Sequence, residues 1–417
     1  MLAAERPTRH GLCPEAPRER LCEPCARPQV AAGDTRQKRH RPHANIGRWP
    51  PGIRDKRDTV PTQTSAIPQE YSRTHETKET PSPTLHAVAP ELRQPRVEAQ
   101  LERALAWHFA AAPPSGALPF YCDPARIGAF AVAPELLAAG EDAAVFRLFV
   151  TLSMFQALRD VVIMRQQRSL SRAAMRVVAD AGRVERAIAG HTCAALRSAE
   201  AFGAGCDVGK RGQEVDCGTS PSTRCHVKDA TVVFNRMGDM GKLPTAAWLR
   251  IWKTGGVRAL VVRVCREEAS PTRRAGLLVA HFAEVHRVGE KLATMFVSAL
   301  STPALAPGLT PWFPEVDGND LVVVDTNVAR AVDALRERGA PRTYAARARW
   351  VRAQAARLDL RSYRRDLPRY SPRLVQQALY AFCSKSNRTA GGDPCAGRAT
   401  PCAGCAPALC PFARAQD

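Results

Sequence analysis

The chain has 417 residues, with 60 Lys and Arg against 40 Asp and Glu and a formal charge of +20. Such a length can bury one large core or two ordinary ones. The charge suits an anionic polymer or acidic lipid and says nothing of chemistry. The longest apolar runs, 143–150 and 321–324, fall far short of the roughly 20 residues a bilayer demands. No membrane is expected as a partner.

The first residues, MLAAERPTRHGLCPEAPRER, lack the apolar stretch of an export signal, so a cytoplasmic location is expected. Fourteen cysteines in a reducing compartment favour metal ligation over disulfides wherever they lie close together.

Residues 1–95 read as a disordered, basic, Pro-rich tail, because Pro, Thr, Arg and His dominate and apolar periodicity is missing. A tether for nucleic acid through Arg36, Lys38, Arg39 and Arg41 and a merely solvated tail are both open readings. Cys13, Cys22 and Cys25 contain a single CxxC and fit no usual metal spacing.

From residue 96 the pattern becomes helical. LERALAWHFAAA reads as a helix, GALPFYCDPARIG as a turn-rich joint, and 143–164 as one or two buried helices. Helical texture continues over 169–199. Residues 202–241 are Gly-rich and polar and read as an insertion. Cys206, Cys217, Cys225 and His226, with Cys193 nearby, leave open a second metal site there, although their spacings match no zinc signature. Helices resume at TAAWLRIWKTGG, with VRALVVRV as the most strand-like run, and 327–338, 344–358 and 372–383 are helical again. The expected class is all-α. Arg342, Arg347, Arg349, Arg352, Arg357, Arg361, Arg364, Arg365 and Arg369 form either a phosphate-facing surface or a scattered solvated face.

The chain ends CAGRATPCAGCAPALC, so Cys395, Cys402, Cys405 and Cys410 are separated by six, two and four residues. Pro, Gly and Ala around them offer no helix or strand to bury four thiols, and a bound ion or cluster would supply the missing order. Four thiolates suit zinc or a four-iron, four-sulfur cluster, and spacing alone leaves both open.

Three further segments carry the functional reading. In 273–300 a helix, a short turn VHRVGEK and a second helix form a hairpin. Its helix start can offer backbone N–H groups to a DNA phosphate, and Gly289 suits close approach or a special dihedral angle. Val285, Val288 and Leu292 would be its packing. In LVVVDTNVARAV, Asp325 stands where a carboxylate caps the following helix. In FRLFVTLSMFQALRD, Ser153, Gln156 and Asp160 stand at the end of an apolar helix.

Taken in order, these segments and the cysteine loop resemble the iron–sulfur branch of the helix–hairpin–helix DNA glycosylases, typified by endonuclease III and adenine glycosylase. VHRVGEK is similar to that family's LPGVGRK, VDTNVARA to VDTHVxR, and FRLFVTLSMFQALRD to FELLxAVLLSAQxTD. The family's first hairpin glycine is Arg287 here and its proline His286, and the last cysteine gap is one residue shorter than the usual five.

The resemblance covers roughly 145–417. It implies a two-lobed helical fold over 96–417 with an iron–sulfur loop at 383–411, and double-stranded DNA as partner of a monomer that needs no other protein. It implies base-excision glycosylase activity on a flipped base, with Lys291 as nucleophile, Asp325 as catalytic carboxylate and Gln156 reaching toward the extruded nucleotide. Abasic-site lyase activity would follow from Lys291, and the monofunctional form stays open. A 4Fe–4S cluster would sit on Cys395, Cys402, Cys405 and Cys410, with Cys383 as substitute for Cys395. The alternative is a non-catalytic iron–sulfur DNA-binding protein. The aromatic residues Trp248, Trp252, Trp312 and Phe313 are candidates for base contact and equally for core. Thirty-three residues separate Lys291 from Asp325, and the enzymatic reading requires them to fold back.

Overall fold

A computed structural model describes residues 95–110, 117–156, 158–208, 225–234, 240–337 and 339–384. All belong to one unit running from Leu85 to Asp417. Of the expected tail 1–95 all but Pro95 lies outside the described residues, as do Cys217 and the cysteines 395, 402, 405 and 410.

The described residues are helical with no strand among them. The chain first forms α1 (Pro95–Ala110), α2 (Pro124–Ile127), α3 (Pro134–Ala138) and α4 (Asp142–Ser153). After a break come α5 (Asp160–Ser169), α6 (Arg172–Ala179), α7 (Ala181–Ala189) and α8 (Ala199–Gly205). Next are α9 (His226–Phe234), α10 (Leu243–Arg250), α11 (Gly256–Glu267), α12 (Pro271–Ala283) and α13 (Glu290–Ser301). A long irregular stretch then leads to α14 (Thr326–Leu335), α15 (Tyr344–Ala355) and α16 (Pro372–Cys383). None is long and apolar enough to cross a membrane.

Local chemistry explains the boundaries. Ser171, Asp180, Ser198, Ser270, Asp325, Thr343 and Ser371 each accept the backbone N–H three residues on, satisfying a donor the helix cannot. Proline opens α2, α3, α12 and α16, where its missing N–H costs nothing.

Two readings of the sequence need correction. VRALVVRV is α11, because Val257, Leu260 and Val264 are buried at helical spacing while Val262 faces solvent. The excursion expected over 202–241 contains α9, whose Val227, Ala230, Thr231 and Phe234 are buried at i, i+3, i+4 and i+7. Glycines and cysteines around it mask that period.

The buried residues form two hydrophobic clusters. The larger draws on α2 to α13, and at its centre Phe149 and Phe282 each lie about 5 Å from Phe296, with Trp252 and Trp312 against the same group. The smaller joins α1 to α14, α15 and α16, with Trp107 edge-on to Phe382 at 5.3 Å. The polypeptide therefore leaves the smaller cluster after α1 and returns to it after α13. Both crossings matter, because the residues of interest sit where they occur.

Candidate active site

The hairpin is present: α12 and α13 pack on each other, joined by the turn 284–289. Val285, Val288 and Leu292 anchor it in the larger cluster. Arg287 has φ +66°, the only non-glycine with positive φ among the described residues. An L side chain there is held against a backbone cost of about 1–3 kcal/mol. The special dihedral expected at Gly289 is thus found two residues earlier. Gly289 is extended, with φ −81°, and a Cβ added to it would meet nothing within 4 Å. It stands as the N-cap of α13, and no side chain caps that helix.

Helix α4 ends at Ser153, and the chain turns outward through 154–159 before α5 begins. Gln156 uses this break to reach the hairpin. Its Nε2 donates to the Arg287 carbonyl at 3.0 Å and to the Ser153 carbonyl at 2.6 Å. The carbonyl of Phe155 in turn accepts from Lys291 Nζ at 3.1 Å. The break and the first turn of α13 are therefore tied by two side chains.

The thirty-three residues between Lys291 and Asp325 do fold back. Trp312 N–H bonds Leu300 O at 3.1 Å and Gly318 N–H bonds Ser301 O at 2.9 Å, holding the stretch against the end of α13. A Cβ on Gly318 would stand 2.4 Å from Ser301 Oγ, so only glycine allows this approach. The Tyr344 hydroxyl then donates to Val322 O at 2.8 Å, fixing the residues just before Asp325.

Asp325 caps α14: its Oδ1 accepts Val328 N–H at 2.8 Å. Burial raises its pKa above the ordinary value of 3.8, while the Val328 N–H and the Lys291 ammonium pull it down and Asp160 pushes it up. Asp160 is itself held by the Tyr380 hydroxyl from α16.

Lys291 and Asp325 line one cavity of about 1150 Å³, with Phe155, Arg159, Asp160, Asn327, Arg330, Tyr344 and Cys383 on its walls. A deeper pocket of about 280 Å³ shares Phe155, Asp160, Lys291 and Asp325 and continues to Phe120, Tyr121, Arg373, Gln376, Gln377 and Tyr380. Gln156 lines neither; it stands beside them at the hairpin.

Among the described residues no group of three or more His, Cys, Asp or Glu is placed to hold a metal. Cys383 is buried in the smaller cluster, and its carbonyl accepts from Arg330 at 3.0 Å. The Cys206 thiol is pushed up first by burial and then by nearby Cys225 and Cys193, against the Val208 backbone and Lys242, which pull it down. His226 is buried, which lowers its pKa to about 4.

The arginine-rich region is more balanced than its composition indicates. Arg342, Arg347, Arg352, Arg361, Arg364 and Arg369 each have an aspartate oxygen within 4.0 Å, and Arg347 alone of the nine lines the large cavity. Trp252 and Trp312 are core residues, Trp248 packs on the same core, and Phe313 is exposed. None of these four lines the cavity or the deeper pocket. The residues that do, Tyr121, Tyr344, Arg373 and Tyr380, were not singled out in the sequence. Two of them and their neighbours carry one overlooked signal: Arg373, Gln376, Gln377 and Tyr380 repeat at helical spacing along α16.

The chain matches no family model, and neither the curated proteins nor the solved structures contain a match to it.

Proposed function

We propose that the protein is a base-excision DNA glycosylase with abasic-site lyase chemistry, a divergent two-lobed relative of the helix–hairpin–helix enzymes. One observation carries this reading. An amine at the start of a hairpin helix and a half-buried carboxylate, with 33 residues between them in sequence, line a single cavity. The uncapped start of α13 offers backbone N–H groups to a phosphate. An extruded nucleotide in the cavity brings its sugar to Lys291 and Asp325.

In this mechanism the Lys291 ammonium first gives a proton to water, and the amine then attacks C1′ with its lone pair. The bond from C1′ to the base breaks, its electron pair leaves with the base, and the base takes up a proton. Asp325 stabilises the positive charge that develops on the sugar. Loss of the nitrogen proton and opening of the ring give a Schiff base. Removal of a C2′ proton then expels the 3′ phosphate, and water releases Lys291. The Phe155 carbonyl positions the amine, and the Asp325 carboxylate is positioned by the cap it makes.

Cys395, Cys402, Cys405 and Cys410 are proposed to hold a 4Fe–4S cluster, which would supply order to the C-terminal loop. Broad absorption near 400 nm with bound iron is expected; a colourless protein carrying zinc would refute it.

Borohydride reduction on duplexes containing a damaged base or an abasic site tests the enzymatic reading. A covalent adduct is expected with the native protein and none with Lys291→Ala. An undiminished adduct excludes Lys291 as nucleophile. Base release without any adduct identifies a monofunctional enzyme, and duplex binding with neither leaves a non-catalytic DNA-binding protein.

A further inference from the structure

The pocket of about 280 Å³ is lined by three neighbouring polar residues of α16, Arg373, Gln376 and Gln377. Arg373 is 6% exposed, yet among the described residues no carboxylate lies within ion-pair distance of it, Asp325 acting on it only from farther off. Its Nε donates to Ser298 Oγ at 3.0 Å, and its Nη1 donates to Gln376 Oε1 at 2.6 Å and Gln377 Oε1 at 3.0 Å. A guanidinium has no acceptor, so both glutamines must turn their oxygens toward it. That turns their amide nitrogens into the groups left over. Neither amide nitrogen, nor Arg373 Nη2, has a hydrogen bond among the described residues. None of the three nitrogens is sealed among the buried unpaired atoms, so each keeps surface open to the pocket that its residue lines, where a ligand acceptor can reach it.

All three residues line the 280 Å³ pocket that Lys291 and Asp325 also line. Phe120 and Phe155 form an edge-on pair at 5.2 Å on its wall, and Tyr380 adds a third ring. The volume lies near the lower end of small-molecule pockets, about 300–1,000 Å³, and suits one planar ring system. Flat apolar walls with directional polar groups at one end are what a stacked heterocycle requires.

We infer that Arg373, Gln376 and Gln377 select the extruded base by its carbonyl oxygens and reject a base that presents an exocyclic amine in their place. The inference rests on the glycosylase reading and specifies its substrate. Donors facing a carbonyl form hydrogen bonds, whereas donors facing an amine leave both sides unsatisfied. The helical spacing of the three residues on α16 presents them together, and the Ser298 bond fixes the guanidinium plane.

The test uses the full chain and two duplexes that differ at one position, 5-hydroxyuracil or 5-hydroxycytosine. These bases carry the same lesion and differ in a carbonyl against an amine at C4. Under single turnover the native protein is expected to release 5-hydroxyuracil faster by on the order of 100-fold. In Gln377→Glu, half-buried at the pocket wall, an acceptor replaces a donor, and the preference is expected to shrink at least tenfold. Comparing the two ratios removes the intrinsic difference in leaving ability. Arg373→Lys, which keeps the charge and loses the planar fork, is expected to lie between them.

Equal release of both bases, preference for the amine, or a ratio unmoved by Gln377→Glu overturns the selection while the glycosylase reading stands. Release of neither base, with borohydride trapping retained at a preformed abasic site, also overturns it and leaves the Lys291 chemistry intact. Loss of trapping as well in the native protein sinks the catalytic reading itself, and base selection with it.

Discussion

The starts of α13 and α14 both reach the large cavity, and they are finished in opposite ways. At α14, Asp325 supplies its own carboxylate to Val328 N–H. At α13, Gly289 supplies no side chain, and the space where one would stand is empty. Each terminus carries the partial positive charge of its helix, worth about 0.3–1 kcal/mol to a nearby anion. One has met that need from within the chain, and the other is left for an external anion. Lys291 lies in the first turn of the open helix, so whatever anion docks there arrives beside the amine.

The largest expected effect, after loss of Lys291 itself, comes from changing charge at the closed terminus. Asp325→Asn retains an oxygen for the cap and removes the negative charge. Base release is expected to fall about 100-fold, within the range for a catalytic carboxylate. Stability should not fall with it. Burial raises the native pKa of Asp325 above 3.8, so the native state holds the proton more tightly than the unfolded chain. Its contribution is fully present below 3.8 and is lost as pH rises through the native value. Near neutrality the ionised carboxylate is therefore a cost that asparagine avoids. For native protein, base release should decline as pH falls through a value above 3.8. An acid limb unchanged in Asp325→Asn would assign the titration to another group.

A smaller effect is expected from closing the open terminus. Gly289→Asp fits the extended backbone and the empty space and turns α13 into a copy of α14. Thermal stability should change by only a few tenths of a kcal/mol, the usual difference between Gly and Asp caps. Duplex binding should weaken about tenfold, because the new carboxylate occupies the N–H groups and repels phosphate. Unchanged binding would mean that the two termini do not differ in the way their geometry indicates.

How much of this arrangement the sequence showed follows from the range of the interactions. Asp325 as a cap, the hairpin and the α16 boundaries rest on residues within a turn or two of each other, and local spacing displays them. Glycine at 289 suits either a close approach or a special backbone angle, and the turn geometry places the special angle at Arg287 instead. The pocket could not be read, since Tyr121, Lys291 and Arg373 come from distant segments and meet only through packing of two hydrophobic clusters. Arg373, Gln376, Gln377 and Tyr380 were legible as a polar stripe, yet a stripe on a helix more often faces water. Only the burial of Arg373 and Gln376, and the pocket that all four line, show that it does not. The arginines of 342–369 leave a phosphate-facing surface and a scattered solvated face both open in sequence, and only the fold shows them interleaved with Asp320, Asp333, Asp359 and Asp366.

The smallest expected effect concerns Arg287, which sits between the two designs. Its left-handed backbone is the conformation glycine adopts freely, so Arg287→Gly removes strain in the native state. Glycine also gives the unfolded chain more freedom, which offsets part of the gain. A net stabilisation of about 0.5–1 kcal/mol is expected, read from denaturant midpoints at unchanged slope. If the side chain meets a phosphate beside the open terminus, the same substitution lowers the salt dependence of duplex binding by about one counterion. The two readouts separate the two reasons for keeping arginine there. Greater stability with a smaller salt slope means that strain is retained for the sake of a phosphate contact. Greater stability with the slope unchanged confines the role of this turn to its backbone, whose carbonyl holds Gln156 in place.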